Sequence, residues 1–339
     1  MKTKLTIITT TYNQEKYIKS ALDGFVMQKT NFPFIAYISD DCSTDSTVKI
    51  LKEYAKKHPD IIKPIFNKKN VGPMDNFINT LSLAETEYVA LCDGDDYWTD
   101  SEKLQKQVDF LDHHKDYSVC FHKTNIFFED KSKPEEIYPK DFKETSTLDD
   151  LLKESFIPTN TVVYRWRFNK KENLKDIFPQ NIVPGDYYIH LLHAEKGKIG
   201  FINEVMSCYR RHAGGMWWLT SQINGQDEFN LKYGSKYISF FENVEQHFNL
   251  SPETFDSQKS YLAHNTIRCY LAKNNFQALV DFKKAHNDLY EKHINDFNYL
   301  SSYQEFSKFK KAIYLMLTDS KQFKNKIKEK ISAFKHKFK

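Results

Sequence analysis

No apolar run in this sequence approaches the roughly 20 residues that a helix needs to cross a bilayer, so no membrane-spanning helix is expected. No apolar stretch with a cleavage site follows Met1-Lys2-Thr3-Lys4, which leads straight into Leu5 to Tyr12, and no secretory leader is expected either. Cysteine is sparse and unpaired. Cys42, Cys92, Cys120, Cys208 and Cys269 are odd in number, widely spaced and free of any CxxC pair. That fits reduced thiols in a cytoplasmic protein better than a disulfide framework or a cysteine zinc site. Three of the five lie in strand-like runs, where buried cysteine acts as a small hydrophobe. Charge of one sign is lacking too: the formal net charge is +4 over 339 residues, too slight to argue a nucleic-acid partner. What is present is a folded-protein composition, 40% hydrophobic and 28% charged, long enough for two domains or one large domain with an appendage.

The first half alternates two periodicities. Leu5 to Tyr12 is a β-branched run, and Gln14 to Gln28 then places Tyr17, Ile18, Ala21, Leu22 and Phe25 at helical spacing. Phe34 to Ser39, Ile61 to Phe66 and Glu87 to Cys92 read as further strands. Asp45 to His58, stopped by Pro59, and Pro73 to Ala84, with proline in its first turn, read as helices. Four such alternations predict right-handed crossovers and a mainly parallel sheet flanked by helices on both faces. Ligands of such sheets bind at the carboxyl ends of the strands, where the polar clusters of this sequence fall. Beyond Lys115 the spacing predicts strands over 117–128, 161–165 and 199–209, helices over 148–155 and 185–196, and a loop over 129–144. From about Ser221 everything reads helical, including 260–271 and 276–290.

Five constellations carry chemistry. Asp93-Gly94-Asp95-Asp96-Tyr97-Trp98 follows a strand, and carboxylates spaced by glycine there suit Mg2+ or Mn2+ with positions left open for phosphate oxygens. The same residues also suit a simple turn. Asp40-Asp41-Cys42-Ser43-Thr44-Asp45 ends the second strand. Ser43 to Asp45 read as helix caps, whereas Asp40 and Asp41 exceed what capping needs. Thr9 to Asn13 ends strand one with Tyr12, an aromatic that either stacks on a base or edges the core. Pro184-Gly185-Asp186 opens a helix, where an acid is favourable in its own right. Tyr209-Arg210-Arg211-His212 offers a diphosphate-binding guanidinium and an imidazole, or a solvated surface patch.

In this order the five segments resemble glycosyltransferase family 2, over about residues 1–215. The resemblance implies a GT-A fold and an inverting, hexosyltransferase-type enzyme that takes a nucleotide-sugar donor, UDP-linked, with Mn2+ or Mg2+ as cofactor. It implies that Thr10, Tyr12 and Asp41 hold the uracil and that Asp93 approaches the ribose. Asp95 and His212 would bind the metal, Arg210 would meet the diphosphate, and Asp186 would be the general base. Trp217 and Trp218 depart from the family pattern. They are candidate platforms for an acceptor, since aromatic faces suit sugars, or a seal against the later helices. The expected acceptor is a hydroxyl of a bacterial surface glycan or of its lipid-linked precursor.

The expected division is a GT-A domain over 1–219, a helical region over 220–319 and a tail helix over 320–339. That tail holds eight lysines and one glutamate, with Phe323, Ile327, Ile331, Phe334 and Phe338 on one stripe. A basic amphipathic helix suits an anionic surface, here the inner face of a membrane; the alternative is packing on its own domain or on a second copy of the chain. Two rivals remain beside the transferase. A nucleotidyltransferase would show a glycine-rich basic loop where Tyr12-Asn13-Gln14-Glu15 stand. A non-catalytic scaffold with a decayed domain would have lost the acids that are all in place here.

Overall fold

The computed structural model describes residues 2–169, 172–179, 182–215, 218, 225–294 and 296. The chain divides into two compact units, Met1–Trp218 and Leu219–Lys339.

The first unit is built on one sheet. Strands β1 (Leu5–Thr11), β2 (Phe34–Asp40), β3 (Ile62–Phe66) and β4 (Tyr88–Leu91) alternate with helices α1 (Ile18–Val26), α2 (Thr47–Lys57) and α3 (Pro73–Leu81). All four residues of β4 are buried, as expected of a strand covered on both faces. Helix α2 buries Thr47, Leu51 and Tyr54, a single stripe at helical spacing. The strand order is β3-β2-β1-β4, so the chain moves outward from β1 and then returns to β1's other side. The crevice between β1 and β4 is therefore a topological switch point, where such sheets bind ligands.

Beyond β4 the sheet becomes mixed. It adds β5 (Tyr97–Trp98), β6 (Tyr117–Phe128), β7 (Glu136–Tyr138), β8 (Thr145–Ser146), β9 (Val163–Arg165) and β10 (Lys198–Arg211). Between them lie α4 (Lys103–His113), α5 (Leu148–Lys153), α6 (Leu174–Ile177) and α7 (Gly185–Ala194). β9 runs antiparallel between β4 and β6, while the long β6–β10 pairing is parallel. The core gathers Leu5, Ile7, Phe25, Ala36, Leu51, Trp98 and Leu104, all buried. β7 occupies part of the segment read from sequence as a loop. It pairs antiparallel with the strand just before it, β6, but it is only three residues long and its Ile137 is exposed, so no buried alternation announces it.

The second unit is helical: α8 (Gly225–His247), α9 (Asp256–Ala272), α10 (Phe276–Ala285) and α11 (Asn287–Ile294). Ile238, Ala263, Ile267, Leu279, Phe282 and Tyr290 form its core. Glu245 accepts two bonds from the buried Lys259 ammonium, at 2.9 and 2.6 Å. The sequence reading of one helix over 276–290 gives way to two. His286 leaves the helical region, at φ −134°, and its Nε2 lies 2.9 Å from the Ser235 hydroxyl on α8. Among the described residues no helix is long and apolar enough to cross a membrane. The basic tail over 320–339 lies outside the described residues.

Candidate active site

Three strand ends meet at the switch point. Asp41 N donates to Thr11 O, and Gly94 N donates to Thr10 O at 3.1 Å, which places the second and third turns beside the first. Gly94 suits this approach: a Cβ there would lie 2.4 Å from Gln14 Oε1, displacing that side chain, and 3.0 Å from Thr11 Cβ. The first two turns are laced together. Asn13 N donates to Ser43 Oγ, Thr44 N to Asn13 Oδ1, Gln14 N to Thr47 Oγ1 and Ser46 N to Glu15 Oε2. Ser43 to Asp45 therefore bridge two loops rather than cap α2: its N-cap is Ser46, and of the three only Asp45 bonds the helix start, accepting from Thr47 N. Tyr12 is 48% exposed and Thr10 half-buried, both at the open end of β1.

Asp41 is 2% exposed, and its carboxylate is fully engaged. Oδ1 accepts from Asn67 Nδ2 at 3.0 Å and Val71 N at 2.9 Å, and Oδ2 accepts from Gly72 N at 2.9 Å. It thereby shapes the loop that enters α3. Gly72 has φ +90°, a conformation costly for any residue with a side chain.

The acidic turn is clamped from the far end of the chain. Asp96, buried, accepts from Arg210 N at 2.8 Å, and Arg210 Nε donates to Asp95 O at 3.0 Å. Asp95 Oδ2 lies 2.9 Å from His212 Nε2, which joins two residues 117 positions apart. The Arg210 guanidinium sits over the rings of Tyr17, Tyr97 and Phe127. The Tyr17 ring also lies 4.5 Å from that of His212, and its hydroxyl donates to Glu129 Oε2. Burial, followed by the like charges of Asp95 and Asp186, pushes the Asp93 carboxyl up to about 8. Burial, then Asp95 and Asp93, pushes Asp96 well above the ordinary carboxylate range. The turn holds more negative charge than it can carry unaided, and its oxygens and one imidazole are a donor set that fits a divalent cation.

Asp186 stands in the first turn of α7, behind the N-cap Pro184. Its Oδ1 accepts from Tyr187 N at 2.8 Å and its Oδ2 from the Thr159 hydroxyl at 2.5 Å. It is near enough to Asp93 to raise that residue's pKa. A carboxylate held on both oxygens beside a dense acidic turn can accept a proton from a group bound between them.

The glycosyl transferase family 2 model matches residues 6–178, about half of the chain. The chain belongs to glycosyltransferase family 2. This family 2 chain is 46% identical over 213 residues to an uncharacterized protein of Mycobacterium tuberculosis, a match covering 63% of the chain and 60% of that protein. It is 25% identical over 233 residues to the poly(ribitol-phosphate) beta-N-acetylglucosaminyltransferase TarS of Staphylococcus aureus, covering 67% of the chain and 39% of TarS. The structure of TarS residues 1–349 with UDP-GlcNAc has the same fold, with a TM-score of 0.52 at 22% identity over 95% of this chain and 89% of that one. So does the mannosyltransferase PcManGT of Pyrobaculum calidifontis with GDP-Man and Mn2+, at 0.51 and 18% over 95% and 87%. The fold is GT-A, a mainly parallel sheet flanked by helices and followed by a helical region.

Of the residues singled out in the family 2 sequence, the structure brings Thr10, Tyr12, Asp41, Asp93, Asp95, Asp186, Arg210 and His212 to one end of one sheet. Trp218 is half-buried just past the turn after His212, and Trp217 lies outside the described residues. Three contributors escaped the sequence reading. Tyr17 scored as an apolar position of a helix, yet the helix starts at Ile18 and Tyr17 faces His212. Glu129 and Thr159 lie in connecting segments with no pattern to mark them; only their bonds to Tyr17 and Asp186 reveal them.

Proposed function

We propose that this chain transfers a sugar from a nucleoside diphosphate donor, a UDP-sugar in the first instance, to an acceptor hydroxyl with inversion at the anomeric carbon. The observation that carries the reading is the convergence, at the β1–β4 switch point, of an acidic turn, a histidine 117 residues away and a doubly held Asp186. Thr10 and Tyr12 would face the base, and Asp41 would shape the adjoining loop through Asn67, Val71 and Gly72. Asp93 would meet the ribose and Arg210 the diphosphate. Asp95 and His212 would hold Mn2+ or Mg2+, which supplies neutralisation of charge on the leaving diphosphate.

The acceptor's O–H proton passes to the Asp186 carboxylate as that oxygen bonds to the anomeric carbon. The bond from that carbon to the diphosphate oxygen breaks, and its electron pair leaves on the nucleoside diphosphate. One displacement inverts the centre, and no second catalytic carboxylate is required. Membership of the family and the activity in TarS's name support an acceptor hydroxyl on a bacterial surface glycan or its lipid-linked precursor. Trp218 would line the acceptor side.

A thermal-shift screen of UDP-, GDP- and dTDP-sugars with Mn2+ tests this, because a ligand that binds only the folded state raises apparent stability. One UDP-sugar should stabilise the protein and release UDP in the presence of acceptor, and EDTA should abolish release. If no nucleotide sugar stabilises the protein and no diphosphate is released from any of them, the proposal fails.

A further inference from the structure

We propose that the C-terminal helical unit carries a metal site of its own, for a borderline transition-metal cation such as Zn2+, held by His264, His293 and Asp296. None of the family motifs lies in this unit. His264 is on α9, His293 is on α11, and Asp296 follows just past the end of α11.

The three side chains converge on one point. His264 Nδ1 lies 3.3 Å from Asp296 Oδ2, and His293 Nδ1 lies 3.2 Å from the same oxygen. One ligand atom from each of the three residues falls within 4.8 Å of the other two. A charge-assisted hydrogen bond between imidazolium and carboxylate is usually shorter, about 2.7–2.9 Å. In a tetrahedral shell with zinc–nitrogen and zinc–oxygen bonds of about 2.0–2.1 Å, neighbouring ligand atoms sit about 1.63 times that length apart, roughly 3.3–3.4 Å. The two observed spacings match the edges of such a shell. The imidazole rings stand at 87° with centroids 5.8 Å apart, so they do not stack on each other.

The surroundings also suit a metal. The Ser260 hydroxyl lies 2.7 Å from His293 Nε2. With Nε2–H donating to that oxygen, the lone pair is left on Nδ1, facing Asp296. Holding the remote nitrogen is how metal-binding imidazoles are usually oriented. Ser260 and His264 are four residues apart and share one face of α9. Two imidazoles and one carboxylate are a donor set that suits zinc better than magnesium or calcium. Bound there, the cation would tie the end of α11 to α9 and close the unit.

The test uses the full chain, stripped with a chelator and titrated with Zn2+ against a chromophoric zinc indicator. Co2+ absorption reports the coordination geometry. Wild type and Asp95→Asn should both take up zinc at this site, and zinc should raise the melting temperature of each. The His264→Gln/His293→Gln double variant and Asp296→Asn should lose the site and the zinc-dependent rise. Ser260→Ala should weaken zinc by about 10–100-fold. Asp296 is exposed, so Asp296→Asn keeps the test valid if the double variant fails to fold. Unchanged zinc affinity in the folded double variant or in Asp296→Asn would overturn the proposal, leaving a hydrogen-bonded clasp between helices. Loss of all zinc binding in Asp95→Asn alone would overturn it as well.

Discussion

Asp186→Asn separates catalysis from architecture because its structural consequences can be worked out in advance. The amide oxygen can still accept from Tyr187 N, and the new NH2 group faces the Thr159 hydroxyl, which can turn to accept. Two charge-assisted bonds become neutral ones, at a cost of about 1–2 kcal/mol in total. Removing the charge also relieves Asp93, whose raised pKa is due in part to Asp186. The two effects oppose each other, so the melting temperature should stay near that of wild type. Turnover should not. General-base assistance is typically worth about 10²–10⁴ in rate, or about 2.7–5.4 kcal/mol at 1.36 kcal/mol per tenfold. Initial rates of UDP release, donor affinity by calorimetry and melting temperature together make the assay. The expected pattern is a drop in kcat of that size with donor affinity and melting temperature nearly unchanged. Thr159→Val should give a smaller loss in kcat by freeing the carboxylate to rotate. If Asp186 served only the start of α7, asparagine would be nearly silent, and Asp186→Ala would lose about 1 kcal/mol of stability with activity kept. A stable, fully active Asp186→Asn enzyme refutes the reasoning, and Glu195 and Asp176 become the next residues to test.

Three further outcomes are expected. The Asp93 carboxyl, raised from 3.8 to about 8, keeps a proton that the unfolded chain has released. Metal-free protein should therefore lose stability as pH rises from about 4 through about 8, and Asp93→Asn should flatten that slope in pH-dependent melts. Asp41→Ala leaves Val71 N without its acceptor, while Asn67 Nδ2 and Gly72 N keep Asn76 Oδ1 and Asn70 Oδ1; donor affinity should fall more than kcat, and a variant with normal affinity and slow turnover would remove Asp41 from the nucleotide site. Lys103 is fully buried, donates to Gln107 Oε1 at 2.7 Å, and is pushed down from 10.5 to about 7 by desolvation. Below pH 7 the folded state carries the full cost of that charge, and stability rises from pH 7 to 10.5. Lys103→Met should stabilise the protein at pH 6 by on the order of 2 kcal/mol in chemical denaturation, after allowance for the stranded Gln107 oxygen.

The parts of the site that lie at strand ends were legible in the sequence because β-branched runs stop at acids and glycine there. β1, β2 and β4 fall within a residue or so of where their composition ends them. Register between distant segments was not legible. β9 read as a strand, but its antiparallel insertion between β4 and β6 depends on partners far away in sequence. The family model ends at residue 178, before Asp186, Arg210 and His212, so those three rested on short and looser motifs. Tyr17 was hidden because an aromatic at helical spacing looks the same whether it faces the core or a histidine. His286 was hidden because it interrupts a continuous apolar stripe for the sake of Ser235 on another helix.

The hydrogen bond between Asp95 and His212 spans 117 residues of chain, and synthesis is directional. At roughly 5–20 residues per second, the ribosome needs about 6–23 s to travel from the acidic turn to its histidine. During that interval the nascent chain can pair β1, β2 and β4 and assemble the walls of the crevice, while lacking the last strand that clamps Asp95 and Asp96. The walls of the crevice and the clamp on its acidic turn are therefore separated in time, so closing that turn is a late event in translating the first unit.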